Sequence, residues 1–175
     1  MNKTNHLGRV AVLCLLTAWL AAGCAGAPAT RQTPSRAAMP DNATVAVWNL
    51  ENLSIMPGQG DEMAEFLTAE VVETLKTRGG LQLVEREKLL LALEELNIGS
   101  SSLADQQTGL RIGRILGAQL MVFGAYQIIG DSMRIDLRMV EVESGKIIKT
   151  AAETAPSSGM KAWLKAAESA ASGLY

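Results

Sequence analysis

Residues 1–24 constrain the chain most, because they have the form of a bacterial lipoprotein export signal and so decide which residues remain to build a fold. Lys3 and Arg9 form a positive n-region, residues 10–20 form an apolar h-region, and Ala21-Ala22-Gly23-Cys24 supplies the small residues that precede a lipid-modified cysteine. The usual motif has Leu where Ala21 stands, and here Leu20 lies one place early. The apolar run is too short to span a bilayer. Residues 1–23 are therefore expected to be a signal peptide and Cys24 the lipidation site, with palmitate among the acyl groups; an ordinary secretory cut nearby is the alternative.

Cleavage before Cys24 removes Lys3, Arg9 and His6, leaving 14 basic against 18 acidic residues and a balance of −4 in place of −2. That mild acidity gives no nucleic-acid footprint. His6 is the single histidine and Cys14 lies in the h-region, so the exported chain holds no histidine, and its one cysteine would carry lipid. Imidazole- or thiol-based catalysis and the common zinc sites lose their residue types, and an internal disulfide is impossible. Carboxylate-only hydrolysis or an all-oxygen metal site needs clustered acids. Glu62, Glu65, Glu70 and Glu73 instead fit the solvated side of one helix. The eight methionines, Met1 included, are spread at core-like spacings. No catalytic residue, cofactor or metal is expected.

From 25 to 42 the chain is rich in Ala, Pro, Thr, Ser and Arg, with Pro28, Pro34 and Pro40 interrupting regular structure. Residues 24–42 thus read as the lipidated cysteine and a flexible tether. Its reach is roughly 60 Å fully stretched and about 25 Å as a coil, which keeps the folded part near its membrane. Ala25 is not the aspartate of an inner-membrane retention signal, which favours the periplasmic face of the outer membrane.

The folded module, 43–155, opens with the strand-like run 44–50. A loop with Gly58-Gln59-Gly60 leads to a helix in which Met63, Phe66, Leu67, Val71 and Leu75 recur at three- and four-residue steps, with Asp61 as N-cap and Arg78-Gly79-Gly80 as stop. That glycine loop lacks the Gly-Lys-Ser/Thr of a phosphate-binding loop. A short strand, 81–84, precedes a helix from Arg86 whose stripe is Leu89, Leu93 and Leu96, widened by Leu90. Residues 97–107 read as a surface loop and 108–116 as a third helix ended by Gly117. The period then changes to alternation: strand 120–129, a turn at 130–132, and a strand with Met133, Ile135, Leu137, Met139 and, at its end, Glu141 on one side and Arg134, Asp136, Arg138 and Val140 on the other. Ser144-Gly145 turns the chain into a last strand, 146–152.

This order predicts an α/β fold in one compact domain: a mixed sheet with a strand-helix-strand-helix-helix start and a C-terminal antiparallel meander, and helices packed on one or both faces. Residues 156–175 read as a C-terminal helix with Met160, Trp163, Leu164 and Ala167 on its apolar side. It either docks on its own domain or binds a partner, and Trp163 and Leu164 are then the candidate partner-binding residues.

Four stretches in this order resemble the CsgG family of curli production lipoproteins: Val45-Ala46-Val47 with Asn49-Leu50-Glu51-Asn52, the run 83–89 around Glu85-Arg86, the run 116–124 containing Gly117-Ala118 and Gly124, and the run 140–147 containing Ser144-Gly145. Gln119 stands where the family more often has Asp. Each stretch also has a local reading: Gly117 stops a helix, Gly124 allows close approach in a strand, and Glu85 and Arg86 make a cap or ion pair at a strand-to-helix junction. The resemblance implies a fold shared more loosely with FlgO, LpoB and the amino-terminal domain of TolB.

It further implies a non-catalytic, outer-membrane-anchored lipoprotein serving as an assembly or secretion accessory. Its partners would be the membrane through Cys24, one or more envelope proteins and a second copy in a homo-oligomer, with no nucleic acid. An LpoB-like regulator of a cell-wall synthase and a FlgO-like flagellar lipoprotein are alternatives, a small-ligand binder a more distant one. Members that form outer-membrane pores add amphipathic hairpins, and each membrane strand needs about 9 to 11 alternating residues. This chain has no insertion of that kind. Planar-bilayer recordings of the purified lipidated protein are expected to show no conductance, and stepwise channels would contradict that reading.

Overall fold

The computed structural model describes residues 42–54, 60–96, 105–156 and 159–175. The expected signal, Cys24, the tether, the glycine loop before residue 60 and most of the loop expected at 97–107 lie outside these. Strand β1 (Ala43–Val47) is apolar on both sides because it is covered on both. Val45 and Val47 enter one buried cluster, while Ala46 and the following Trp48 enter another. Two further strands flank β1 in parallel, β3 (Leu81–Leu83) and β4 (Leu120–Ile129). Beyond β4 run the antiparallel β5 (Ser132–Glu141) and β6 (Ile147–Pro156), giving the order β3-β1-β4-β5-β6. The two-residue β2 (Glu51–Asn52) adds to β4 past the end of β1.

Helix positions follow from this order. The connection from β1 to β3 is helix α1 (Gly60–Arg78), which contributes Ala64, Leu67, Val71 and Leu75 to the first cluster. The return from β3 to β4 travels the opposite way across β1. A right-handed crossover then has to use the opposite face. Helices α2 (Arg86–Glu95) and α3 (Gln106–Ile115) lie there, with Leu89, Ala92, Leu93, Leu110 and Ile112 packed on Trp48, Met121, Phe123 and Val140. Trp48 and Phe123 meet with ring centroids 6.3 Å apart and planes tilted by 53°. Helix α4 (Met160–Ser172) joins α1 on the first face, placing Trp163, Ala166, Ala167, Ala170 and Ala171 over Met133, Ile135, Leu137 and Met139. The protein is thus one α/β domain with a mixed sheet between two helical layers, in the element order expected from the sequence.

Backbone chemistry punctuates the elements as expected. Gly79 and Gly80 stop α1 with φ of 74° and 76°, and Gly117, with φ of 69°, ends the turn after α3, a region that favours glycine. The α3 N-terminus is capped by Asp105, whose carboxylate accepts from the Gln107 and Thr108 amides.

Three side-chain expectations are corrected. Phe66 is 55% exposed, because the buried side of α1 runs through Ala64, Leu67, Thr68, Val71, Thr74 and Leu75, and three-residue spacing from Met63 carries Phe66 past its rim. Leu90 is 49% exposed, since α2 offers a face only as wide as Leu89, Ala92 and Leu93, and Leu96 sits at its margin. Met160, at the start of α4, is also exposed. Boundaries shift too. Strand β6 runs on to Pro156, four residues past the expected end, and α4 begins at Met160. Asp61 falls inside the first turn of α1.

At Gly124 on β4, an added Cβ would sit 2.5 Å from Leu137 Cδ2 and 2.9 Å from the Asp136 carbonyl oxygen on β5. The second neighbour is backbone and cannot rotate away. Gly124→Ala is therefore expected to lower stability by about 1–3 kcal/mol, the usual cost of overpacking, read as a shifted urea midpoint; an unchanged midpoint would show that the β4–β5 spacing relaxes freely.

Candidate functional site

In open α/β sheets the crevice at the carboxyl ends of the strands, where chain direction across the sheet reverses, is the usual place for ligands. Here that place lies beyond Val47 and Leu83, and the chain itself fills it. Leu50 is buried in the first core, and its amide donates to Thr68 Oγ1 at 3.0 Å. Thr68 Oγ1 lies 2.6 Å from the Ala64 carbonyl and 3.2 Å from Asn49 Oδ1. Asn49 Oδ1 also accepts from both terminal nitrogens of Arg86, at 3.3 and 3.4 Å. Arg86 Nη2 in turn pairs with Glu65 at 3.5 Å. The motif residues Asn49 and Arg86 thus bond each other directly, and α1 braces the pair with Thr68 on Asn49 and Glu65 on Arg86. Glu85 pairs with Lys88 at 3.3 Å, so each junction residue has its own partner elsewhere.

Past the crevice, β2 closes the gap over β4. The Leu53 amide donates to the Tyr126 carbonyl at 2.8 Å, and the Ile128 amide donates to Ser54 Oγ at 2.9 Å. At the other end of β1, Gln119 Oε1 accepts from the Thr44 amide at 3.1 Å, and its backbone carbonyl accepts from Val142. A carboxylate and an amide oxygen are both acceptors, so Gln119 does there what an aspartate would do, without charge.

A separate open hollow of about 530 Å³ lies between the start of α3 and the β5–β6 turn, lined by Asp105, Thr108, Arg111, Arg114, Ser144 and Gly145 among others. Its polar groups are mostly engaged in holding local structure. Arg114 donates to the Val142 carbonyl at 3.2 Å, Ser144 Oγ bonds the Glu141 carboxylate, and amide and hydroxyl bonds from Gln107 and Thr108 hold the Asp105 carboxyl below the usual carboxylate range. On the open part of the sheet, Arg134 and Asp136 form a two-bond pair at 2.6 and 2.8 Å that raises the guanidinium pKa further, and Arg138 lies 5.8 Å over the Phe123 ring. Among the described residues no cluster of His, Cys, Asp or Glu is placed to hold a metal, and no helix is long and apolar enough to cross a membrane.

The two α4 candidates separate. Trp163 is a core residue, 8% exposed, and its indole N–H donates to the Pro156 carbonyl at 2.9 Å. Leu164 is half-buried against the same core. Nearby, Tyr175 Oη donates to the Leu75 and Gly79 carbonyls, and burial pushes its phenol pKa up. Helix α4 therefore docks on its own domain. The residue missed in sequence is Thr68; a single hydroxyl inside the 64-67-68-71-75 stripe was the available signal.

Thr68→Val keeps the shape but leaves the buried Leu50 amide without its acceptor. A loss of about 1–3 kcal/mol is expected, with Thr68→Ser retaining most of the stability; equal midpoints for all three proteins in urea would remove Thr68 from the junction's support.

Comparison with known proteins places this geometry. None of the curated proteins compared with the chain matches it. The fold is similar to the C-terminal domain of LpoB from Salmonella enterica, with a TM-score of 0.58 at 19% identity over 67% of this chain and 85% of that one. It is also similar to lipoprotein GNA1162 from Neisseria meningitidis, with a TM-score of 0.55 at 13% identity over 68% and 83%. A PelC dodecamer from Paraburkholderia phytofirmans gives 0.50 at 15% identity over 78% and 90%. These likenesses establish the fold. The family model for the curli production assembly/transport component CsgG matches residues 29–128, which takes in β1, the Asn49–Arg86 junction and nearly all of β4 but not the 140–147 stretch. By that match, over more than half of its length, the chain belongs to the CsgG family.

Proposed function

We propose that the protein is a non-catalytic envelope lipoprotein, anchored through lipid on Cys24 to the periplasmic face of the outer membrane, that serves as an assembly or secretion accessory by docking another envelope protein. The observation that carries this reading is the CsgG-family match across a fold whose ligand crevice is filled by its own chain. On this reading the signal peptide takes 1–23 and the lipidated cysteine and tether 24–42, ahead of a domain in which β6 runs to Pro156 and the final helix, from Met160, packs on the same core. The coil-like reach of the tether, about 25 Å, keeps the domain beside its own membrane and favours a local partner over an LpoB-like role on an inner-membrane synthase. Of the two α4 candidates, Trp163 is committed to the core, so Leu164 is the one left to contact a partner.

Chain length supports an accessory without a pore of its own. The undescribed internal stretches, 55–59, 97–104 and 157–158, are each shorter than one membrane strand of about 9 to 11 residues. The described strands all belong to the one sheet.

Crosslinking in intact cells followed by mass spectrometry, with the native protein beside Cys24→Ala, tests the proposal. Crosslinks to outer-membrane or secretion components that vanish with Cys24→Ala are expected. Their absence from the native protein, or their full retention in Cys24→Ala, overturns the anchored-accessory reading.

A further inference from the structure

The hollow between the start of α3 and the β5–β6 turn holds two positive charges that its local bonds leave unmet. Arg111 and Arg114 both line it, three residues apart and so side by side on one face of α3. Like charges at that spacing repel each other. Neither guanidinium has a carboxylate partner among the described residues. Arg114 has a structural reason for its place, since it sits in the last turn of the helix and donates from Nη2 to the Val142 and Glu143 carbonyls. Those acceptors are neutral, so they fix the guanidinium without compensating its charge. Arg111 is exposed and makes no bond among the described residues. The nearby acids are turned to other donors or left apart. Asp105 caps α3 about 9 Å along the helix axis before Arg111, Glu141 accepts from Ser144 Oγ, and the Glu143 carboxylate pairs with neither arginine.

Two adjacent guanidiniums without a counter-ion, one already held in place, suit an oxyanion bound through forked N–H groups. At about 530 Å³ the hollow is far larger than one such group. Beside the arginines it presents Gln107 and the apolar Leu110, contacts that an extended peptide can use and a bare phosphate cannot. The β5–β6 turn is at the end of the sheet where β1 begins, because the Val142 amide bonds the Gln119 carbonyl and the Thr44 amide bonds Gln119 Oε1. An anionic membrane is therefore the competing occupant. Such a surface is held by clusters of four or more basic residues, and the exported chain, with 14 basic residues to 18 acidic, carries no basic excess.

We propose that this hollow is a docking site for an acidic peptide segment of a partner protein, with Arg111 and Arg114 clamping one of its carboxylates. The inference rests on the accessory reading and names the chemistry by which the partner is held. A peptide titration needs neither cells nor the lipid on Cys24, so its failure leaves the crosslinking result standing.

Nuclear magnetic resonance of the arginine Nε–H groups, in the full chain in mild detergent, supplies the test. A capped peptide of alternating glutamate and serine is expected to shift the Arg111 and Arg114 signals saturably, while the same peptide with glutamine for glutamate leaves them in place. Arg111→Gln removes a side chain without internal bonds, so the fold is kept, and it is expected to weaken the peptide about tenfold, equivalent to about 1.4 kcal/mol. Inorganic phosphate and micelles doped with phosphatidylglycerol are titrated in parallel. Signals that do not move with the glutamate peptide, an Arg111→Gln protein that binds it like the native chain, or phosphate or phosphatidylglycerol acting at lower concentration than the peptide each overturn the proposal.

Discussion

The structure depends on the double burial of β1. Ala43, Val45 and Val47 belong to one core and Ala46 and Trp48 to the other, so this short strand, with β4 beside it, ties the two hydrophobic clusters together. That position follows from the chain's path. The first crossover goes to β3 on one side and the second returns past β1 to β4 on the other, so right-handedness alone assigns α1 to one face and α2 with α3 to the opposite one. Once β4 is placed, the meander mainly completes the first core, which α4 covers, and only Val140 and Val142 reach the second. The second helical layer does not extend over the rest of the sheet, which is why Arg134 and Arg138 lie exposed on the face where Val140 is buried.

That asymmetry explains which parts of the fold were legible in sequence. Strands β4 and β5 were plain, because β4 is nearly all apolar and β5 alternates strictly between Met133, Ile135, Leu137, Met139 and charged residues; a strand half covered by helices writes its environment into a period of two. Helix ends were legible through Gly79, Gly80 and Gly117, whose positive φ leaves a residue-type signature. Phe66 and Leu90 misled because hydrophobicity at helical spacing reports a side of a helix but not the width of the groove it meets. Strand β2 is invisible because two residues carry no period, and its pairing is with Ala125 and Tyr126 of β4, far along the chain.

The junction cluster was half legible for a related reason. Asn49 and Arg86 both lie in the motif stretches, yet nothing in local sequence says that they bond each other; that contact is direct, and α1 braces it with Thr68 on Asn49 and Glu65 on Arg86. The cluster holds the exit of β1 and the entry of α2 together at the place where related architectures bind ligands. Arg86 remains partly exposed beside an exposed Glu65, and a pair in that setting contributes little stability on its own. Its weight comes from the buried end of the network, where Thr68 Oγ1 satisfies the Leu50 amide and Leu50 enters the core.

A domain whose crevice is closed by its own backbone has its outer surfaces left for recognition, and those surfaces are unequal. Helix α4 is bound inward by Trp163, the alanine row and the Tyr175 phenol, so detaching it to meet a partner would expose the core it covers. The α3 hollow spends Arg114 and Ser144 on the β5–β6 turn. Exposed apolar side chains such as Leu53, Leu91 and Ile115 are scattered over different elements. Strand β6 pairs with β5 alone among the described residues, so it lies at the margin of the sheet they form. Recognition through α4 would have to break several internal contacts, from the Trp163 indole bond to the packing of its alanine row.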